Sequence, residues 1–126
     1  MVPSRDPAEV LLVDDDPNFR AGLTDFLHED GFAVRVYGSP REIPALETLD
    51  KIDIVITDYE MPEENGLAFA DRFHAVHPNI PIVLLTGYGA SRLESSLRAR
   101  SFVYLCTKPF MVDELHSLLQ RLAGSN

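Results

Sequence analysis

The sequence predicts an α/β fold, a doubly wound parallel sheet of five strands alternating with five helices. Three observations carry this. Short aliphatic runs recur along the chain without polar alternation, the pattern of strands covered on both faces. Stretches with apolar residues at helical spacing separate them. Prolines, glycines and cap residues stand at the junctions.

Val10-Leu11-Leu12-Val13 is the first strand, and it stops at Asp14-Asp15-Asp16. Asp16-Pro17 reads as a helix cap followed by proline at the first helical position. Phe19, Leu23, Phe26 and Leu27 give that helix its apolar face, and Gly31 ends it. Residues 32–37 form the second strand. Ser39-Pro40-Arg41-Glu42 has the capping-box pattern. Pro44 removes a backbone donor, so the second helix is expected to be short or to start late.

Ile54-Val55-Ile56 is the middle of the third strand, which ends at Asp58. Pro62, Asn65 and Gly66 signal a loop. Residues 66–77 follow as a helix with Leu67, Phe69, Ala70, Phe73 and Val76 as its apolar residues, and Pro78 and Pro81 bracket its exit. Ile82-Val83-Leu84-Leu85 is the fourth strand, ending at Thr86-Gly87. Residues 90–100 carry few large apolar side chains, chiefly Leu93 and Leu97, so a thinly packed fourth helix is expected, and thin packing often marks mobility. Residues 102–107 form the fifth strand, ending at Lys108-Pro109. Residues 112–122 close the chain as a helix with Leu115, Leu118, Leu119 and Leu122 on one side.

The chain has 126 residues, which suggests one domain over residues 1–126 with a core spanning about 9–123. Hydrophobic residues make up 45% and charged residues 25%, ordinary for a globular protein. No apolar run approaches the roughly 20 residues a membrane helix needs. The N-terminal Met-Val-Pro-Ser-Arg-Asp-Pro lacks a signal-peptide core. The net charge is −9 and no basic cluster is present, which disfavours direct nucleic-acid binding. A single cysteine, Cys106, cannot form an internal disulfide. It reads as a small core residue, and a cytoplasmic setting fits. Gly124-Ser125-Asn126 reads as a helix stop or the start of a linker.

Four of the five strands end in polar groups suited to one chemistry: Asp14 and Asp15, Asp58, Thr86, and Lys108. In open α/β sheets ligands bind at the carboxyl ends of the strands. In a sheet of flavodoxin-like order 2-1-3-4-5, strands one and three are neighbours at the switch point. Asp14, Asp15 and Asp58 would then crowd together and repel unless a cation neutralised them. A hard divalent cation such as Mg²⁺, or Mn²⁺ in its place, suits carboxylate and carbonyl oxygens. Lys108 and Thr86 could each meet an oxygen of a phosphoryl group, and a carboxylate nucleophile that becomes an acyl phosphate is established chemistry.

Each residue taken singly has a plainer reading. Asp58 alone would be a helix cap or a strand-end solvator, Asp16 is a helix cap, Lys108 alone would be a solvated surface lysine and Thr86 alone an ordinary strand end. Tyr59 and Glu60 are expected to face solvent near the site, with the Glu60 backbone carbonyl available to a metal. His28, His74, His77 and His116 show no metal-site pattern. His74 and His77, three apart on a helix, are expected to be surface residues.

Taken together, the pieces resemble the receiver domain of two-component response regulators. They are Leu-Leu-Val-Asp-Asp-Asp-Pro, Val-Ile-Thr-Asp-Tyr-Glu-Met-Pro with Asn65-Gly66, Leu-Leu-Thr-Gly, and Thr-Lys-Pro-Phe, in the family's order and spanning nearly the whole chain. The resemblance is to a chemotaxis-regulator-like receiver. It implies that Asp58 accepts a phosphoryl group from a phosphohistidine on a histidine kinase or a histidine phosphotransfer protein. It implies Mg²⁺ held by Asp15, Asp58 and the Glu60 carbonyl, with Asp14 helping through water. It implies that Thr86 and Lys108 bind the phosphoryl group and that the Lys108–Pro109 bond is cis. A downstream partner or output domain is implied but not named. The resemblance makes the chain a signalling switch rather than a turnover enzyme.

One position departs from the family. Three residues before the lysine, where a Tyr or Phe usually acts as a rotamer switch, stands Leu105; the nearest aromatic is Tyr104. In a regular strand Tyr104 points to the opposite face. The expectation is an unbulged fifth strand with Leu105 at the switch position.

Two other classes fit less well. A haloacid-dehalogenase-like phosphatase with Asp14 as nucleophile wants Asp-x-Asp followed by x-Thr or x-Val, but Asp16 is followed by Pro17-Asn18. A flavodoxin-like cofactor module wants a Gly/Ser/Thr-rich phosphate loop after the first strand, where this chain has three aspartates that would repel a flavin phosphate.

Overall fold

The computed structural model describes residues 7–87, 93–107 and 112–124. Five parallel strands, β1 (Glu9–Val13), β2 (Ala33–Tyr37), β3 (Ile54–Asp58), β4 (Ile82–Thr86) and β5 (Val103–Thr107), form one sheet in the order β2-β1-β3-β4-β5. The strands β3 and β4 are buried at every position. Their unbroken apolar runs arise because both faces are covered.

The period-two alternation of strand side chains sorts the core into two layers. Val10, Leu12, Ile54, Ile56, Val83, Leu85 and Cys106 meet Leu23 and Leu27 of α1 (Pro17–Glu29) and Leu115 and Leu119 of α4 (Val112–Gly124). Leu11, Val13, Val55, Ile82, Leu84 and Val103 meet Leu67, Phe69, Ala70 and Phe73 of α2 (Gly66–Val76), together with Leu46, Leu49 and Leu93. The short helix α3 (Glu94–Arg98) lies beyond Leu93 and buries no residue of its own.

The junctions follow the sequence chemistry. Asp16 caps α1 by accepting from the Asn18 and Phe19 N–H groups at 3.0 and 3.3 Å, with Pro17 at the first helical position. Gly31 leaves the helix at φ +93°, a conformation that favours glycine. Asn65 caps α2 by accepting from the Ala68 N–H at 2.9 Å.

The described residues hold four α-helices, not five. Where a second helix was expected, two separate 3₁₀ turns, Pro40–Glu42 and Leu46–Thr48, connect β2 to β3. Ser39 does accept from the Arg41 N–H at 3.1 Å, so the cap forms. The helix then fails because Pro44 pushes the preceding Ile43 to ψ 134° and offers no N–H of its own. Leu46 and Leu49 are buried by the turns instead.

His74 and His77 are not merely solvent-facing. The His74 ring stacks on Phe102, with centroids 3.6 Å apart and planes 6° from parallel. The His77 Nε2 is 2.6 Å from the Leu46 carbonyl oxygen, tying the end of α2 to the second 3₁₀ turn. Helical spacing aims the two rings at different neighbours, and each finds an apolar or carbonyl partner.

Candidate functional site

Strand register assembles the site. Val13 of β1 stands opposite Thr57 of β3, so the next residues, Asp14 and Asp58, emerge side by side. Carboxylate oxygens of Asp14, Asp15 and Asp58 all lie within 4.8 Å of one another. Asp14 is 0% exposed and Asp58 7%, whereas Asp15 faces solvent. On the other side Asp58 pairs with Leu85, which places Thr86, 1% exposed, one step beyond it. Thr86 in turn pairs with Thr107, the last residue of β5. Lys108 and Pro109 lie outside the described residues.

Backbone bonds hold these carboxylates in place. The Asp14 N–H donates to the Tyr37 carbonyl at 3.1 Å. The Asp14 Oδ1 accepts the Asp16 N–H at 2.9 Å, which folds the β1–α1 turn over the buried carboxylate. Arg20, one turn into α1, donates from Nη1 to the Asp14 carbonyl oxygen at 2.8 Å. The Thr57 hydroxyl donates to the Asp58 carbonyl oxygen at 3.1 Å.

The loop from Tyr59 to Asn65 closes on itself. The Gly66 N–H donates to the Tyr59 carbonyl at 2.8 Å, and the Tyr59 N–H donates to Leu85 at 2.8 Å. Gly66 is required there. A Cβ would overlap the Asp58 carbonyl oxygen and stand 2.7 Å from Leu84 Cδ1. Glu63 takes φ 79°, a left-handed conformation that costs a non-glycine residue roughly 1–2 kcal/mol. Ion pairs hold it and its neighbour: Arg41 with Glu63, and Arg72 with both Glu64 oxygens at 3.0 and 2.8 Å. Glu60 is exposed, as expected, but Tyr59 is half-buried and packs against the apolar layer under α2.

Three carboxylates this close, two of them buried, repel one another unless a cation or a proton offsets their charge. The donor set is all hard oxygen, which fits a small divalent cation better than a soft metal. Among the described residues no other group of His, Cys, Asp and Glu side chains is so placed. A buried hydroxyl, Thr86, at the adjacent strand end adds a donor for an anion.

The strand β5 is regular. Five successive pairs join it to β4 from Ile82–Val103 to Thr86–Thr107, so no bulge interrupts it. Leu105 packs with the layer under α2, and Tyr104 with the layer under α1 and α4. Cys106 is buried, and burial pushes its thiol pKa up, with the Glu114 carboxylate adding to the rise.

This fold recurs in known proteins. The sequence model of the family described as response regulator receiver domain matches residues 10–120. The chain belongs to the receiver-domain family. Among curated relatives of this receiver, the C4-dicarboxylate transport transcriptional regulatory protein DctD of Rhizobium meliloti is 33% identical over 106 residues, covering 84% of this chain and 23% of that protein. The DNA-binding transcriptional regulator NtrC of Azospirillum brasilense is 33% identical over 122 residues, covering 94% of this chain and 25% of that protein. The chain thus spans about a quarter of the length of these relatives. Among solved structures, a response regulator receiver protein from Sinorhizobium medicae superposes with TM-score 0.83 at 25% identity, covering 95% of this chain and 97% of that one. A receiver domain protein from Clostridium thermocellum gives 0.81 at 25% identity, covering 93% and 94%. The receiver is therefore a phosphoacceptor signalling domain of the two-component type.

The Arg20 bond to Asp14 and the close approach of Gly66 to Asp58 were not legible in the sequence as site features. Gly66 showed only as a loop signal. Arg20 carries no motif that distinguishes it from any helix-surface cation.

Proposed function

We propose that Asp58 is the phosphoacceptor, that Asp15, Asp58 and the Glu60 carbonyl ligate Mg²⁺ with Asp14 acting through water, and that Thr86 and Lys108 bind the phosphoryl group. The observation that carries this reading is the cluster of Asp14, Asp15 and Asp58 within 4.8 Å at the carboxyl ends of β1 and β3. The metal supplies charge neutralisation between Asp58 and an anionic donor. The chain's own residues do the rest. An Asp58 carboxylate oxygen attacks phosphorus of a phosphohistidine whose other ring nitrogen carries a proton, the P–N bond breaks, and the histidine leaves as neutral imidazole. The Thr86 hydroxyl and the Lys108 ammonium each meet a phosphoryl oxygen. The donor protein is a histidine kinase or a histidine phosphotransfer protein, and the setting is cytoplasmic. The receiver works as a switch for a downstream partner or output domain rather than as a turnover enzyme.

The regular β5 supports Leu105 as the residue at the switch position. Coupling then runs through Thr86 and the thinly packed α3, by shifting populations of two arrangements. Chemical-shift changes on phosphorylation should appear between Thr86 and Arg100 and largely survive Tyr104→Leu. Their loss, with labelling intact, would make Tyr104 the switch.

The direct test is incubation with Mg²⁺ and a small acyl phosphate, followed by mass spectrometry. Wild type should gain one phosphoryl group and Asp58→Asn none. Equal labelling of both would overturn the assignment. Asp15→Asn should bind Mg²⁺ more weakly than wild type.

A further inference from the structure

We infer that Arg20 is a positioning residue for the acidic cluster, and that Gly38 exists as glycine to let it reach. The inference rests on the proposed metal role of Asp15 and Asp58, and deepens it.

Asp14 is fully buried, so both its backbone groups need partners. The Tyr37 carbonyl takes its N–H, and Arg20 Nη1 donates to its carbonyl oxygen at 2.8 Å. That oxygen and the Asp15 nitrogen belong to one rigid peptide plane. Gripping the oxygen therefore sets the direction in which the chain enters Asp15. The Asp14 side chain is fixed separately, by the Asp16 N–H. Arg20 thus holds the one plane that joins the buried carboxylate to the exposed one.

The approach depends on Gly38, which follows the Tyr37 that holds Asp14. A Cβ at Gly38 would stand 2.9 Å from Arg20 Nη1 and 3.7 Å from its Cζ. The Gly38 N–H donates to Glu42 Oε1 at 3.1 Å, and Glu42 Oε2 would be 3.5 Å from the same Cβ, an ordinary contact. So alanine at this position presses on the guanidinium and on little else. The exits of β1 and β2 are tied together around Asp14, and the tie passes over a glycine.

The sign of the effect separates positioning from charge. Arg20 is a cation bonded to the backbone of Asp14, one member of the acidic cluster. By Coulomb's law alone, removing it would tighten Mg²⁺ binding. If it positions Asp15, removing it weakens Mg²⁺ binding, by about tenfold where a supporting bond to a ligand shell is lost. Gly38→Ala displaces the guanidinium while keeping its charge, so it should also weaken binding.

The test measures the Mg²⁺ dissociation constant calorimetrically for wild type, Arg20→Gln, Arg20→Lys, Gly38→Ala and the Arg20→Gln/Gly38→Ala double variant. The melting temperature of each metal-free protein is measured beside it. The expected result is a weakening of about tenfold in Arg20→Gln, partial recovery in Arg20→Lys, and a Gly38→Ala penalty that vanishes in the Arg20→Gln background. A brace that served stability alone would lower the metal-free melting temperature and leave the constant unchanged, which would overturn the inference. Equal or tighter binding by Arg20→Gln would overturn it, as would an undiminished Gly38→Ala penalty in the double variant. If wild type itself shows no saturable Mg²⁺ binding, the metal reading beneath the inference fails and takes the inference with it.

Discussion

The helices α2 and α3 follow neighbouring strands and cover the same face of the sheet, yet they are attached in different ways. The helix α2 buries Gly66, Leu67, Phe69, Ala70 and Phe73. The helix α3 buries none of its five residues. Its apolar anchors are Leu93, just before it, and Leu97, which is half-buried. Among the described residues, the bonds that hold the α3 region are largely polar. Arg100 donates to both Asp71 oxygens at 2.7 Å and to the Ser96 carbonyl at 2.7 Å, and Phe102 stacks on His74. Non-directional apolar burial makes α2 a fixed wall beside Asp58. Few apolar contacts and a few directional bonds hold α3, the next described helix after β4. Two adjacent helices on one sheet face are thus attached by different means, one by apolar burial and the other by a few polar bonds.

The largest effect expected from this contrast is on stability. Phe73→Ala empties a fully buried site and should cost about 3–5 kcal/mol, whereas Leu97→Ala should cost only about 1 kcal/mol. Urea unfolding of both variants measures the difference, and equal losses would end the contrast. Amide exchange should agree, with α3 opening at far lower free energy than α2.

Next in size is Gly66→Ala. The added methyl overlaps the Asp58 carbonyl oxygen and crowds Leu84, so α2 must back away from the site. A cost of about 1–3 kcal/mol is expected, as for overpacking elsewhere. Phosphoryl labelling of Asp58 should fall with it, and labelling at the wild-type rate would show that α2 is not the wall described.

The smallest effect belongs to the strap between the two helices. Hydrogen bonding to Arg100, then its charge, holds the Asp71 carboxyl below its ordinary value of 3.8. A depressed carboxyl stabilises the fold above its unfolded value and loses that contribution as the pH falls through the folded one. Asp71→Asn should therefore cost less than about 1 kcal/mol near neutral pH, because the pair is partly exposed, and the gap to wild type should close as the pH drops below 3.8. Unfolding curves at both pH values check the sign. A gap that widened in acid would remove Asp71 from the account.

Local chemistry made much of the protein readable from residues alone. The five strands end where the aliphatic runs end, and the caps at Asp16 and Asn65 form where short polar side chains precede apolar periodicity. Asp14, Asp15, Asp58 and Thr86 could be grouped because a parallel sheet brings its strand ends to one edge, whatever the details of packing. Other features depended on what lies far away in sequence. The Ser39 cap forms, but the helix after it is lost to Pro44 and to the apolar layer that takes Leu46 and Leu49. His77 reaches the Leu46 carbonyl across 31 positions, which no periodicity foretells. Gly66 lies against Asp58, and Arg20 passes over Gly38 to Asp14, because strand register and helix docking set those distances together. The sequence by itself determined the strands, the caps and the set of acids at the sheet edge, since these follow from side-chain type and spacing. Only the tertiary structure decided which backbone atoms brace those acids and which glycines must stay small, since both depend on contacts between segments that meet only in the folded chain.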